Sequence, residues 1–257
     1  MTRSPILTGY YTMVRKDTMR IIRIWSQTLL PPAVTMGLYF AIFGAFIGSQ
    51  VDAIQGFPYI QFIVPGLIMM SVITSAYMNT VSTFYFAKWQ RTIDELLVSP
   101  MPSWTVIAGF ITGGLIRAAL TGVVVVAVSL FFTKLSFFSI TVVLAAAFLT
   151  ALLFSLLGLI NAIFAKSFDA ISIVPTFVLT PLTYLGGVFY SVDQLPEFFR
   201  TLSLFNPILY MVNAFRYGFL GVSDVPLSLA FGVMGGLTVL AFIVTLVLFR
   251  NGAGLKN

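Results

Sequence analysis

Six stretches of this chain, 28–48, 59–87, 103–133, 135–165, 170–191 and 225–249, carry no formal charge except Arg117 in the third. A bilayer hydrocarbon core of about 30 Å needs roughly 20 consecutive apolar residues in a helix, so each run is long enough to cross one. Backbone amides in hydrocarbon must be satisfied within their own segment, which leaves helices as the solution for runs of this kind. A soluble helical bundle has no use for uninterrupted apolar runs of this length. The expected fold is all-α and polytopic: six transmembrane helices in one membrane domain covering 1–257.

With 59% hydrophobic and 9% charged residues, the chain has no room for a second, soluble domain. It contains neither Cys nor His, which removes disulfides, thiol chemistry, thiolate metal sites and the commonest general base. A phosphate-binding G-x-x-x-x-G-K-[ST] loop is also missing, so any ATPase must sit on another chain.

The net charge of +6 is a topology signal rather than a nucleic-acid footprint. With six spans both termini share a side. Arg3, Arg15, Lys16, Arg20, Arg23, Lys88, Arg91, Lys166, Arg250 and Lys256 fall on that side, and Lys134, Arg200 and Arg216 on the other. The excess predicts cytoplasmic termini and contact with anionic lipids. A cleaved signal peptide does not fit, because the first run is too long and too far from the start.

The connections between the runs carry more information. Residues 10–26 read as an interface helix, with Lys16, Arg20 and Arg23 on one face and Val14, Thr18, Ile21 and Trp25 on the other. Such a helix serves either as an anchor or as an elbow that moves the first span. Residues 88–99 should form a short helix with Trp89, Ile93 and Leu96 on one side and an Arg91–Glu95 pair at i, i+4, ended by Pro100 and Pro102. It suits either docking to a protein or lying on lipid. Between the fifth and sixth runs, 192–224 contains an apolar stretch too short to cross and broken at Asn206-Pro207. It should form short re-entrant helices packed over the spans. Phe189, Phe198, Phe199 and Phe205 are expected near that mouth. Arg117, near mid-depth in its span, must face the bundle or a wet cavity. It either contacts carbonyls, Asn79 or Asn161, or attracts an anion on a substrate path.

These connections resemble those of permeases of the second ABC-exporter family. In the external segment Leu195-Pro196 is followed after ten residues by Pro207-Ile208-Leu209-Tyr210 and after five more by Arg216. Residues 91–100, Arg-Thr-Ile-Asp-Glu-Leu-Leu-Val-Ser-Pro, are similar to the family's coupling helix, with Arg91-Thr92 where many members have Gly-Thr. The resemblance implies a small bacterial half-permease of the inner membrane, pairing with a second copy and with two copies of a separate ATPase that binds ATP and Mg. It implies docking through Lys88, Trp89, Arg91, Ile93, Asp94 and Glu95, and an external gate around Pro196, Pro207, Tyr210 and Arg216. It also implies that spans two and five line the dimer axis. There the sequence offers Ser71, Ser75, Tyr77 and Asn79, and Thr176, Thr180, Thr183 and Tyr184, with Arg117 as a further path residue. Hydroxyls in such helices also serve packing. Pro175 and Pro181 should bend the fifth helix. The implied cargo is amphipathic or hydrophobic: a lipid, a drug or a lipid-linked glycan. A lipid-modifying enzyme fits poorly, because no paired carboxylates lie in the spans. An ion-coupled carrier fits poorly, because no acid lies mid-span.

Overall fold

The computed structural model describes residues 5–48, 50–51, 53–252 and 254. Arg3 and Lys256, used in the charge argument, lie outside them. The described residues form helices and no strand, so the all-α expectation holds.

Four helices are long and apolar enough to cross a membrane: α4 (Tyr59–Trp89), α6 (Ser103–Ser129), α7 (Ile140–Phe164) and α12 (Leu227–Asn251). Each begins at a boundary the sequence writes locally. Pro58, Pro102 and Pro226 stand extended immediately before α4, α6 and α12, and Ser139 does so before α7. A proline fixes φ and lacks the amide that a first turn leaves unpaired, so it suits such a boundary. The third and fourth runs differ at their junction. Helix α6 stops at Ser129, and α7 starts only at Ile140. The intervening strap is held on the neighbouring helix, where Ser139 N donates to Gly218 O at 2.8 Å and Phe138 N to Phe219 O at 3.2 Å.

Helix α4 is the hub. It packs along α6 and α7, and most of its length is buried within the protein. The packing is close because small residues remove bulk. A Cβ at Gly158 of α7 would come within 2.7 Å of Tyr77 O on α4. In lipid, association rests on such approach rather than on expelling water.

The first and fifth runs are irregular helices. Helices α2 (Trp25–Thr28) and α3 (Leu30–Tyr39) lead into a π-helical segment, Phe40–Ile47. In the fifth run α8 (Phe168–Val174) passes through a π turn, Pro175–Leu179, into α9 (Thr180–Tyr184). Pro181 cannot donate to residue 177, and Thr180 N instead reaches Pro175 O five residues back. The predicted deformation at Pro175 and Pro181 therefore takes the form of a widened turn.

Helix α1 (Pro5–Arg23) begins earlier than the expected interface helix. It packs mainly along α6 and reaches Asn79 and Thr83 of α4 through Asp17 and Arg20, and Asp17 and Ile21 are buried. Arg20 turns toward the bundle, whereas Ile22 and Trp25 are exposed. The two-faced reading with Arg20 on a solvent face is thus corrected: the one acid in the segment pulls Arg20 inward.

Beyond α9 come a single 3₁₀ turn (Val192–Gln194), α10 (Glu197–Leu204) and α11 (Pro207–Leu220). Pro196 stands just before α10, and Pro207 is the first residue of α11. Asn206 caps α11, accepting from Ile208 N at 3.0 Å, and its amide donates to Leu182 O at 2.6 Å. Tyr210 Oη closes the break by donating to Leu204 O at 2.7 Å. Helix α11 is no surface lid; it is buried against α7, α12 and α4.

Candidate functional site

At the end of α4 that leads into α5 (Thr92–Val98), the chain makes a sharp corner. Arg91 adopts φ 60° and ψ 10°, a left-handed conformation, immediately before α5. This takes Arg91 out of the helix and breaks its i, i+4 relation to Glu95. No Arg91–Glu95 ion pair forms among the described residues. Trp89 also belongs to α4 rather than α5. Its ring meets Phe86 tilted and Phe168 edge-on, at centroid distances of 5.7 and 5.8 Å, while remaining 61% exposed. The expected Trp89–Ile93–Leu96 stripe is therefore reduced to Ile93, which is buried, and Leu96, partly so. These two hold α5 against the body. Asp94 and Glu95 face outward, and Val98 is 86% exposed. Lys88 is not a free docking cation. Its Nζ donates to Ile163 O at 2.7 Å and Ala165 O at 3.3 Å, covering carbonyls that the end of α7 leaves open.

Next to this corner lies a polar cluster that the sequence reading missed. Asp17 pairs with Arg20 at 2.8 Å and accepts from Asn79 Nδ2 at 2.9 Å. Arg20 Nη2 also donates to Asn79 Oδ1 at 3.1 Å and Thr83 Oγ1 at 2.5 Å. The carboxylate can approach only because position 113 is glycine: a Cβ there would overlap Asp17 Oδ2. The available signal was an acid three residues before Arg20 in an otherwise basic segment. Arg117 lies in the electrostatic reach of Arg20 and Asp17 and is partly buried. Its Nε has no hydrogen-bond partner among the described residues, so the expected bonds to Asn79, Asn161 or carbonyls do not form there.

Along α4, Ser71, Ser75, Tyr77 and Asn79 are all buried inside the chain. Ser71 Oγ donates to Ile68 O at 2.7 Å, and Asn79 is taken up by the cluster. The face of α4 that remains open is a different one: Met70, Thr74, Met78, Ser82 and Phe86, spaced four apart. In the fifth run Thr176, Thr180 and Tyr184 are exposed, again four apart, whereas Thr183 is buried and bonds to Leu179 O at 2.6 Å. Tyr184 meets Tyr39 through their hydroxyls at 3.1 Å and stacks on Phe189 at 5.9 Å. Phe189 thus joins Tyr39, Phe43 and Tyr184. Phe198 and Phe199 pair with each other on α10.

At the opposite end of α4 a second buried group locks 192–226 in place. Arg216 is fully buried, so it is not an open gate residue. Its Nη2 donates to Gly187 O at 2.5 Å and its Nε to Phe62 O at 3.4 Å, with the guanidinium 3.8 Å from the Phe62 ring centroid. Nη1 lies 3.8 Å from Asp224 Oδ2, a Coulombic contact. Burial pushes the guanidinium down and Asp224 opposes that shift, leaving it at about 10, still a cation at neutral pH. Asp224 in turn accepts from Ser191 Oγ at 2.6 Å, Gln55 Nε2 at 2.7 Å and Val192 N at 3.1 Å. Arg216 was visible in the sequence; Asp224, eight residues on, was not.

A protein-family comparison matches residues 8–220 to the ABC-2 type transporter model. The chain is 55% identical over 242 residues, 94% of each chain, to the inner membrane transport permease YadH of Escherichia coli K12. It is 29% identical over 217 residues, 83% of each chain, to nodulation protein J of Rhizobium leguminosarum bv. viciae. These likenesses join the long apolar helices, the corner at Arg91 and the Pro-broken 192–224 segment in one conclusion: the chain belongs to the ABC-2 type transporter family, as a membrane permease subunit.

Proposed function

We propose that this protein is the permease half of an ATP-driven exporter of the bacterial inner membrane, pairing with a second copy and with two copies of a separate ATPase that holds ATP and Mg. The observation that carries the reading is α5: a short helix anchored by Ile93, presenting Asp94, Glu95 and Val98 with no ion-pair partner among the described residues. An exposed valine beside two carboxylates at the end of the longest helix is what a docked partner would cover. The family assignment and the names of the relatives support this, as does the absence of a nucleotide-binding loop.

Six spans complete the scheme, with Leu30–Ile47 and Phe168–Tyr184 as the first and fifth and α10–α11 as the re-entrant pair. Both termini are cytoplasmic by charge. Closure of the ATPase pair pushes on α5, and the left-handed corner passes the push to α4. A ligand or partner can shift the permease only by binding its two packed states unequally. The open stripes on α4 and the fifth run, rather than Ser71, Ser75 and Asn79, line the path. Its mix of methionine, hydroxyl and aromatic groups suits an amphipathic or hydrophobic cargo, a lipid, drug or lipid-linked glycan.

The test is co-purification of the ATPase with the permease and ATP hydrolysis by the complex. Val98→Asp should cut recovery of the ATPase about tenfold, the loss of roughly one buried side chain at 1.4 kcal/mol per decade. Undiminished recovery together with unchanged ATP hydrolysis by Val98→Asp and Glu95→Lys would refute docking through α5.

A further inference from the structure

Between α1, the end of α4, α5 and α6 the fold forms an open-sided cavity of about 370 Å³. Its wall is mainly apolar, with Met13, Phe86, Leu96 and Phe110 contributing. Of its charged groups, Lys16, Asp17 and Arg20 lie on α1 and Glu95 on α5; Asp17 and Arg20 pair with each other, which leaves Lys16 and Glu95. Neither makes an ion pair with the other or with any described residue. Arg20 also lines the cavity, and its Nε has no acceptor, although Nη2 is engaged by Asp17, Asn79 and Thr83. The site therefore combines a greasy wall with an unpaired ammonium on α1 and an unpaired carboxylate on α5.

We infer that this cavity binds one amphiphile whose headgroup carries both a phosphate and a free ammonium, as phosphatidylethanolamine does. The phosphate lies against the Lys16 ammonium, on the side of the cavity that Arg20 also lines, where charge-assisted bonds are strongest. The ammonium, with its N–H donors, lies against Glu95. The start of an acyl chain covers the apolar wall. A trimethylated headgroup has no donor for Glu95, and a purely anionic one faces its charge. Asp17 and Arg20, paired at 2.8 Å, offset each other, so Lys16 supplies the net positive charge that faces the phosphate. The site rests on placement in a membrane and not on the transport reading. If that reading holds, the headgroup and the ATPase meet at Glu95, so occupancy would alter how α1 and α5 move together.

The experiment uses the full chain, delipidated in detergent without ATPase. Phosphatidylethanolamine, phosphatidylglycerol and phosphatidylcholine are added one at a time, and retained lipid is counted by native mass spectrometry. One phosphatidylethanolamine should be retained, in preference to phosphatidylcholine. Lys16→Ala should reduce retention of both phosphatidylethanolamine and phosphatidylglycerol about tenfold, one charge-assisted contact at 1.4 kcal/mol per decade. Glu95→Gln should weaken phosphatidylethanolamine and leave phosphatidylglycerol unchanged or improved. Ala87→Phe, which fills the cavity from α4, should abolish retention at an unchanged melting temperature. Equal retention by the native chain, Lys16→Ala and Glu95→Gln would overturn the site, whatever becomes of the ATPase experiment. Vesicles of phosphatidylethanolamine containing the ATPase complex separate two sources of the ligand. A resident bilayer lipid stays bound through turnover, whereas a carried one appears in the opposite leaflet only with ATP.

Discussion

Replacing Asp17 by Ala removes the centre of the buried cluster and gives a quantitative test of it. The carboxylate is the partner of Arg20 at 2.8 Å and of the Asn79 amide at 2.9 Å. Breaking a buried ion pair costs about 3–5 kcal/mol, and a surface pair at most about 1. The Arg20 side chain is 37% exposed, so water recovers part of its solvation. Asn79 is fully buried and cannot recover the lost bond in that way, at about 1–3 kcal/mol for an unsatisfied group. The expected loss is therefore about 2–4 kcal/mol. Gly113 supplies a sharper readout. Gly113→Ala in the native chain drives a methyl into Asp17 Oδ2 and should destabilise. On the Asp17→Ala background the same methyl enters vacated space, and the change should become neutral or stabilising by up to about 1 kcal/mol, the helix preference of Ala over Gly. Unfolding of the purified full chain in mixed micelles, followed by circular dichroism, gives all four corners of the cycle. The cluster argument fails if Asp17→Ala lies within about 0.5 kcal/mol of the native chain, the range of an ordinary surface change. It also fails if Gly113→Ala costs the same in both backgrounds.

Arg91→Gly should be neutral or stabilise by up to about 1 kcal/mol, because a left-handed residue with a Cβ is strained and glycine offsets that only through its freer unfolded chain. A lowered melting temperature would show that the arginine side chain contributes more than its exposed, unpaired position suggests. Asp224→Asn keeps the shape of the group but leaves Arg216 buried without its counter-charge, a cost of about 3 kcal/mol. Faster proteolytic cleavage within 192–226 and a lower melting temperature are expected, and an unchanged cleavage rate would contradict the locking role.

Several features were legible in the linear sequence because their causes are local. Charge is excluded from hydrocarbon residue by residue, so the four long apolar helices each lie along one of the six apolar runs. Prolines act on their own turn, so the starts of α4, α6, α11 and α12, the widened turn in the fifth run and the break at Asn206 were all written in the chain. The tertiary structure decided which way each helix faces. Ser71, Ser75 and Asn79 look like path-lining groups until α6, α7 and α1 close over them, leaving Met70, Thr74 and Met78 in the open. In a helix apolar on every side, hydrophobic periodicity carries no orientation. The partners of Arg20 and Arg216 depend in the same way on contacts across the fold: Arg20 meets Asn79 from 59 residues away, and Arg216 meets Phe62 from 154. Six apolar runs determined the solvent this protein lives in; the packing of α4 determined which of its side chains remain free to act.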